Sequence, residues 1–139
     1  MKMTKHTQLE LLCLRESLNM SFDDMSLLFQ VPSRTARYLE SGVNTRGNLI
    51  SQDVINSAVS SLKKFDSLIE SNVSNTRSLT AGTLKVFFDN EVYRESSEWD
   101  EKLPLAALHR AQQQRIKLKL AQQGIDVKLV LDEKELLKN

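Results

Sequence analysis

The chain has 139 residues, 40% of them apolar and 27% charged, with 19 Lys and Arg against 18 Asp and Glu for a formal +1. That is enough for a core in one domain or two small ones, which excludes a disordered tail, and the even charge balance excludes a polycation holding nucleic acid by bulk charge alone. A single cysteine, Cys13, excludes a disulfide framework and a thiolate zinc site and fits a reducing cytoplasm, and no apolar run approaches the ~18 residues of a membrane span.

Residues 7–20 carry Leu9, Leu11, Leu14 and Leu18 at helical spacing, with Leu12 and Cys13 widening the stripe, which predicts a first helix with Cys13 in the core. Glu10, Arg15 and Glu16 among those leucines make the segment too charged for the apolar heart of a signal peptide, so the expected location is the cytoplasm. Ser21 then supplies a hydroxyl cap, and Asp23 and Asp24 sit in the first turn of a second helix, where the helix dipole favours carboxylates. That helix points Met25, Leu28 and Phe29 inward and ends near Gln30. Val31-Pro32-Ser33 forms a tight connection, because proline disfavours helical backbone at the residue before it. A third short helix over 33–41 stops at Gly42.

Residues 43–49 read as a polar loop, after which Ser51 is placed to cap a long fourth helix. Its apolar positions are Val54, Ile55, Ala58, Val59, Leu62, Phe65, Leu68 and Ile69. The Ser, Thr and Asn of 71–83 predict a linker. Beyond it, 84–88 reads as a short strand and 89–102 as acidic and irregular, with Trp99 the only indole. Pro104 suits the first turn of a helix that Gly124 ends, and 125–131 alternates as a second strand. The predicted fold is therefore mainly α with a small β component. A helix-turn-helix four-helix bundle over 1–71 is followed by a linker at 72–83 and a strand-helix-strand module over 84–139. Two lone strands make a poor sheet, so a second copy pairing with their edges makes this module the dimerisation candidate.

The informative stretch is 21–42, SFDDMSLLFQVPSRTARYLESG. A short capped helix, a tight turn and a second short helix have helix-turn-helix geometry, and the second helix of such a unit fits a DNA major groove. With Ala36 and Leu39 inward, Ser33, Arg34, Arg37 and Tyr38 point outward. An arginine bonds a guanine edge through two donors, a serine reaches bases or phosphates, and a tyrosine packs on a thymine methyl or bonds phosphate. The competing reading is a solvated helix face on which Arg37 pairs with Glu40 at i+3.

VPSRTARYLESG resembles the recognition-helix segment of the lambda-repressor-like (xenobiotic-response-element type) regulators through Val31, Pro32, Arg34, Thr35, Arg37, Glu40 and Gly42. The order of elements beyond it, with a Lys-Val-Phe-Phe strand, a lone tryptophan and a terminal helix, is similar to the phage repressors associated with anti-CRISPR operons and their bacterial relatives. The resemblance implies double-stranded DNA as the partner, with Thr35 joining Ser33, Arg34, Arg37 and Tyr38 at the interface. It also implies phosphate contacts from Asn44 and Arg46 in the following loop, for which a plain surface loop is the competing reading. The chain departs from the pattern at Gln30, where glycine is usual, at Pro32, which moves the capping role to Ser33, and at Leu39, which replaces a tryptophan.

Arg110, Arg115, Lys117 and Lys119 form a basic run that reads as a solvated face, which the acidic 91–101 segment could neutralise within the dimer, with a second nucleic-acid surface as the alternative. His6 and His109 have no carboxylate or thiol arranged beside them in sequence. No phosphate-binding glycine loop, nucleophile elbow or metal-ligand spacing is present, so no enzyme and no cofactor is expected. The expected function is a sequence-specific transcriptional regulator, a homodimeric repressor of an inverted-repeat operator. The alternative is an antitoxin that neutralises a protein partner and binds DNA secondarily.

Overall fold

The computed structural model describes residues 5–42, 47, 50–76, 82–132 and 134. The described residues are mainly helical with one small parallel sheet: α1 (Lys5–Ser17), α2 (Phe22–Phe29), α3 (Ser33–Ser41), α4 (Gln52–Asn75), β1 (Thr83–Val86), α5 (Asn90–Glu95), α6 (Ala106–Gln122) and β2 (Lys128–Leu131). It divides into two compact units after Asp66, inside α4.

In the first unit the core is Leu11, Leu18, Met25, Ala36, Leu39, Ile55 and Leu62, all nearly or fully buried. The α1 stripe is narrower than its leucines suggest. Leu9 is 58% exposed and Cys13 is exposed, which corrects the core placement of Cys13. The two are four residues apart, on the flank turned away from the line through Leu11 and Leu18. Asn19 takes a left-handed φ of 63°, and the Met20 amide donates back to Arg15 O, closing α1 with a residue type that tolerates this backbone.

The second unit holds the last turns of α4, both strands, α5 and α6. Here α4 runs on to Asn75, into the stretch whose composition predicts a linker. Val73, four residues after the fully buried Ile69, is only 7% exposed, so burial outweighs the poor helix propensity of the surrounding Ser and Asn. The supposedly irregular acidic segment contains α5, capped by the Asp89 carboxylate, which accepts from the Val92 amide at 3.0 Å. Pro104 lies ahead of α6, whose N-cap is Leu105, and the Asn90 side chain accepts from the Ala106 amide at 2.8 Å.

The two strands pair with each other in parallel, Thr83 opposite Lys128 through Val86 opposite Leu131. The segment between them, with α5 and α6, is long enough to return β2 alongside β1, and the sheet they make has only these two strands among the described residues. Phe87, Val92, Tyr93 and Ala106 form the core beside them, with Trp99 packed against it. The Tyr93 ring lies 5.4 Å from Phe87, 5.2 Å from Trp99 and 4.9 Å from His109.

Candidate functional site

The α2–α3 pair is built from local signals. Ser21 Oγ accepts from the Asp24 amide at 3.0 Å while the Asp24 carboxylate accepts from the Ser21 amide at 2.9 Å, satisfying two otherwise orphaned donors. At the far end Gln30 adopts φ 56° and ψ 46°, and the Val31 amide bonds Ser26 O at 3.2 Å. The Gln30 side chain thus occupies backbone that favours glycine, at a cost of ~1 kcal/mol. Pro32 is the N-cap of α3 without any side-chain cap bond, so Ser33 does not take over the capping role. Its hydroxyl donates instead to the Asp23 carboxylate at 2.5 Å. Gly42, at φ 81°, ends α3.

Along α3 the side chains divide cleanly. Ala36 and Leu39 are buried, whereas Arg34 and Arg37 are exposed and three residues apart on one face. Tyr38 is half-buried next to them and Ser33 is half-buried at the start of the helix. Arg37 does not pair with Glu40; its guanidinium stands 5.5 Å from the Phe22 ring centre. Thr35 faces another way, into a cavity it lines together with α4 residues. Asn44 and Arg46 lie outside the described residues.

What holds α3 in place is a bond not anticipated from the sequence. Arg15 of α1 donates from Nε and Nη2 to the two Glu40 oxygens, at 2.7 and 3.2 Å, and from Nη1 to Met20 O at 3.0 Å. The guanidinium also lies 4.3 Å from the centre of the Phe22 ring. One side chain thus joins α1, the turn before α2, and α3. Gln8 adds a bond from α1 to Ser41 O at 2.9 Å. A signal for the pair existed, since Arg15 and Glu40 are charges close to otherwise apolar stripes. Their partnership spans 25 positions and has no periodicity to betray it.

The α6 cations are occupied within the second unit. Arg115 bonds Glu70 at 2.7 Å. Lys119 donates to the carbonyls of Val73, Ser74 and Thr76 at 2.8, 3.2 and 3.2 Å, capping the end of α4. Arg110 and Lys117 reach the carbonyls of Phe87 and Val127, and Gln113 reaches Lys85 O at 3.0 Å. These side chains fasten α6 to the strand ends and to α4.

His109 is 4% exposed and its Nδ1 has no hydrogen-bond partner. Burial pushes its pKa down to about 4, helped by the Arg110 charge and opposed by Asp100. The Tyr93 hydroxyl donates to Leu103 O at 2.8 Å, and burial raises its pKa to about 12. Among the described residues no group of His, Cys, Asp and Glu is arranged to hold a metal ion, and no helix is long and apolar enough to cross a membrane. No protein-family model matches the chain, and no curated protein sequence matches it.

Proposed function

We propose that the chain is a sequence-specific DNA-binding regulator in which α2 and α3 form a helix-turn-helix and α3 enters the major groove. The observation that carries this reading is the outer face of α3. Two exposed arginines, three residues apart, stand on a short helix whose opposite face is buried and whose position is fixed by the Arg15–Glu40 bond. Rigid presentation of planar, multi-donor side chains is what base-edge recognition requires. Neither Arg34 nor Arg37 has an ion-pair partner among the described residues, so both are available to DNA. Ser33, held by Asp23, acts as a support for the helix start, and Arg34 is the principal reader.

The second unit makes the protein a homodimer on an inverted repeat. Supporting this are an exposed Phe88 and an exposed Leu118, at 67% and 53%, and a two-stranded sheet with an open edge on each strand among the described residues. A two-fold pair sets two recognition helices about one DNA turn, ~34 Å, apart. Light scattering on the full chain at micromolar concentration reports a dimer under this reading and a monomer against it.

The decisive experiment selects bound sites from a random DNA pool and then titrates Arg34→Ala against the selected and scrambled duplexes at one salt concentration. Loss of a two-donor base contact costs ~1–3 kcal/mol per half-site, so the selected duplex loses roughly 30-fold or more. Scrambled DNA, held through phosphates, loses much less. Equal losses on both duplexes would remove Arg34 as a base reader, and failure to enrich any site would refute the function.

A further inference from the structure

We propose that the cavity between α3 and α4 is a binding site for a small apolar amine. It measures about 430 Å³ and lies wholly within the first unit. That volume falls within the range of ligand pockets, ~300–1,000 Å³, and its lining has their usual composition of apolar walls with a few polar groups. Its apolar lining comes from Phe29 and Val31 at the end of α2 and the turn after it, Leu39 of α3, and Val54 and Ala58 of α4. Val54 is 51% exposed, so an aromatic or aliphatic body seated there would remove apolar surface from water.

The polar groups specify the rest of the ligand. Asp53, Ser57 and Ser61 recur every fourth residue along one line of α4, and Thr35 faces them from α3. Among the described residues the lining contains one carboxylate and no lysine, arginine or histidine. Asp53 is exposed and has no cationic partner among the described residues. A carboxylate beside hydroxyl acceptors attracts an ammonium, accepts its N–H donors, and repels a carboxylate of the same shape. The apolar walls reject a fully polar cation.

Thr35 and Leu39 stand on the same helix as Arg34 and Arg37. Insofar as the DNA reading holds, occupancy of the cavity therefore bears on the helix that meets DNA, and the amine is an effector. Binding itself does not rest on that reading.

The test follows backbone amide shifts of the isotope-labelled full chain during titration with phenethylamine, phenethyl alcohol and hydrocinnamate. Saturable shifts at Val31, Thr35, Leu39, Val54 and Ser57 are expected for the amine, with a Kd on the order of a millimolar for so small a probe. The alcohol should bind about threefold to tenfold more weakly, as suits a carboxylate open to solvent, and hydrocinnamate should not bind. Asp53→Asn should bring the amine down to the level of the alcohol. Ser57→Trp, at an exposed position, should fill the cavity and abolish both, with circular dichroism confirming the fold. Absence of saturable shifts, equal binding of all three probes, or indifference to either substitution overturns the proposal. Amine binding with unchanged DNA affinity overturns only the effector role; amine binding by a chain that enriches no DNA site overturns only the regulator reading.

Discussion

Glu40→Ala tests whether one half-buried ion pair sets the position of α3. The substitution removes two charge-assisted bonds, at 2.7 and 3.2 Å, and leaves a guanidinium only 15% exposed without its carboxylate. Hydrogen bonds to charged groups contribute about 1.5–3 kcal/mol, and breaking a fully buried pair costs about 3–5 kcal/mol. Arg15 keeps its bond to Met20 O and its contact with Phe22, and some water reaches the pair, so the expected loss is about 2–3 kcal/mol. With a slope of about 1–2 kcal/mol/M for a small unit, the urea midpoint of the first unit should fall by about 1.5 M. Circular dichroism reads the transition, and amide exchange in α1 and α3 assigns it. Replacing both partners, Arg15→Met with Glu40→Met, should cost clearly less than the two single changes summed, with a coupling of about 1–2 kcal/mol. A loss below about 0.5 kcal/mol in Glu40→Ala, or strict additivity in the double variant, would refute the reasoning.

Gln30→Gly should stabilise the first unit by about 0.5–1 kcal/mol, seen as a higher urea midpoint, because glycine occupies the φ of 56° without strain. Lys119→Met should keep the stem packing but release three carbonyls, costing about 1–2 kcal/mol and accelerating amide exchange near residues 73–76. Acid should destabilise the second unit through His109. Above pH 6.5 the ring is neutral in both states and contributes nothing; between pH 6.5 and about 4 the unfolded chain takes up a proton that the folded chain refuses. Stability should therefore fall with pH across that window by about 3 kcal/mol in all, and His109→Phe should flatten the profile measured by Trp99 fluorescence. Tyr93 produces the alkaline counterpart: the unfolded phenol ionises near 10 and the folded one near 12, so stability should drop between those values and Tyr93→Phe should remove the drop.

The parts of the fold legible in the sequence are those encoded locally. Ser21 with Asp24, the break after Phe29 and the glycine at position 42 place α2 and α3 because cap and turn chemistry act over three or four residues. The periodicity of Ile55, Leu62 and Ile69 likewise places α4. What escaped depends on contacts distant in sequence. Val73 extends α4 because the second unit buries it, overriding the loop-like composition around it. Asp89, three residues before Val92, was a usable cap signal for α5, masked by the surrounding acids. The α6 cations resemble a solvated face until the carbonyls of Phe87, Val127 and Val73 come beside them. The cavity beside Thr35 was invisible for the same reason, since its walls come from three helices and no single stretch carries the pattern.

The parallel pairing of β1 with β2 has a kinetic consequence. Thr83 and Lys128 are about 45 residues apart, so the sheet forms only after that whole segment closes on itself, while α6 gains its own bonds locally. Helix formation should then precede the rate-limiting crossing and strand pairing should follow it. Weakening substitutions in the strands, such as Val86→Ala, should accelerate unfolding while leaving the folding rate nearly unchanged, whereas those along α6 should slow folding. The lifetime of the folded second unit, as distinct from its population at equilibrium, is thus governed by two strands of four residues each.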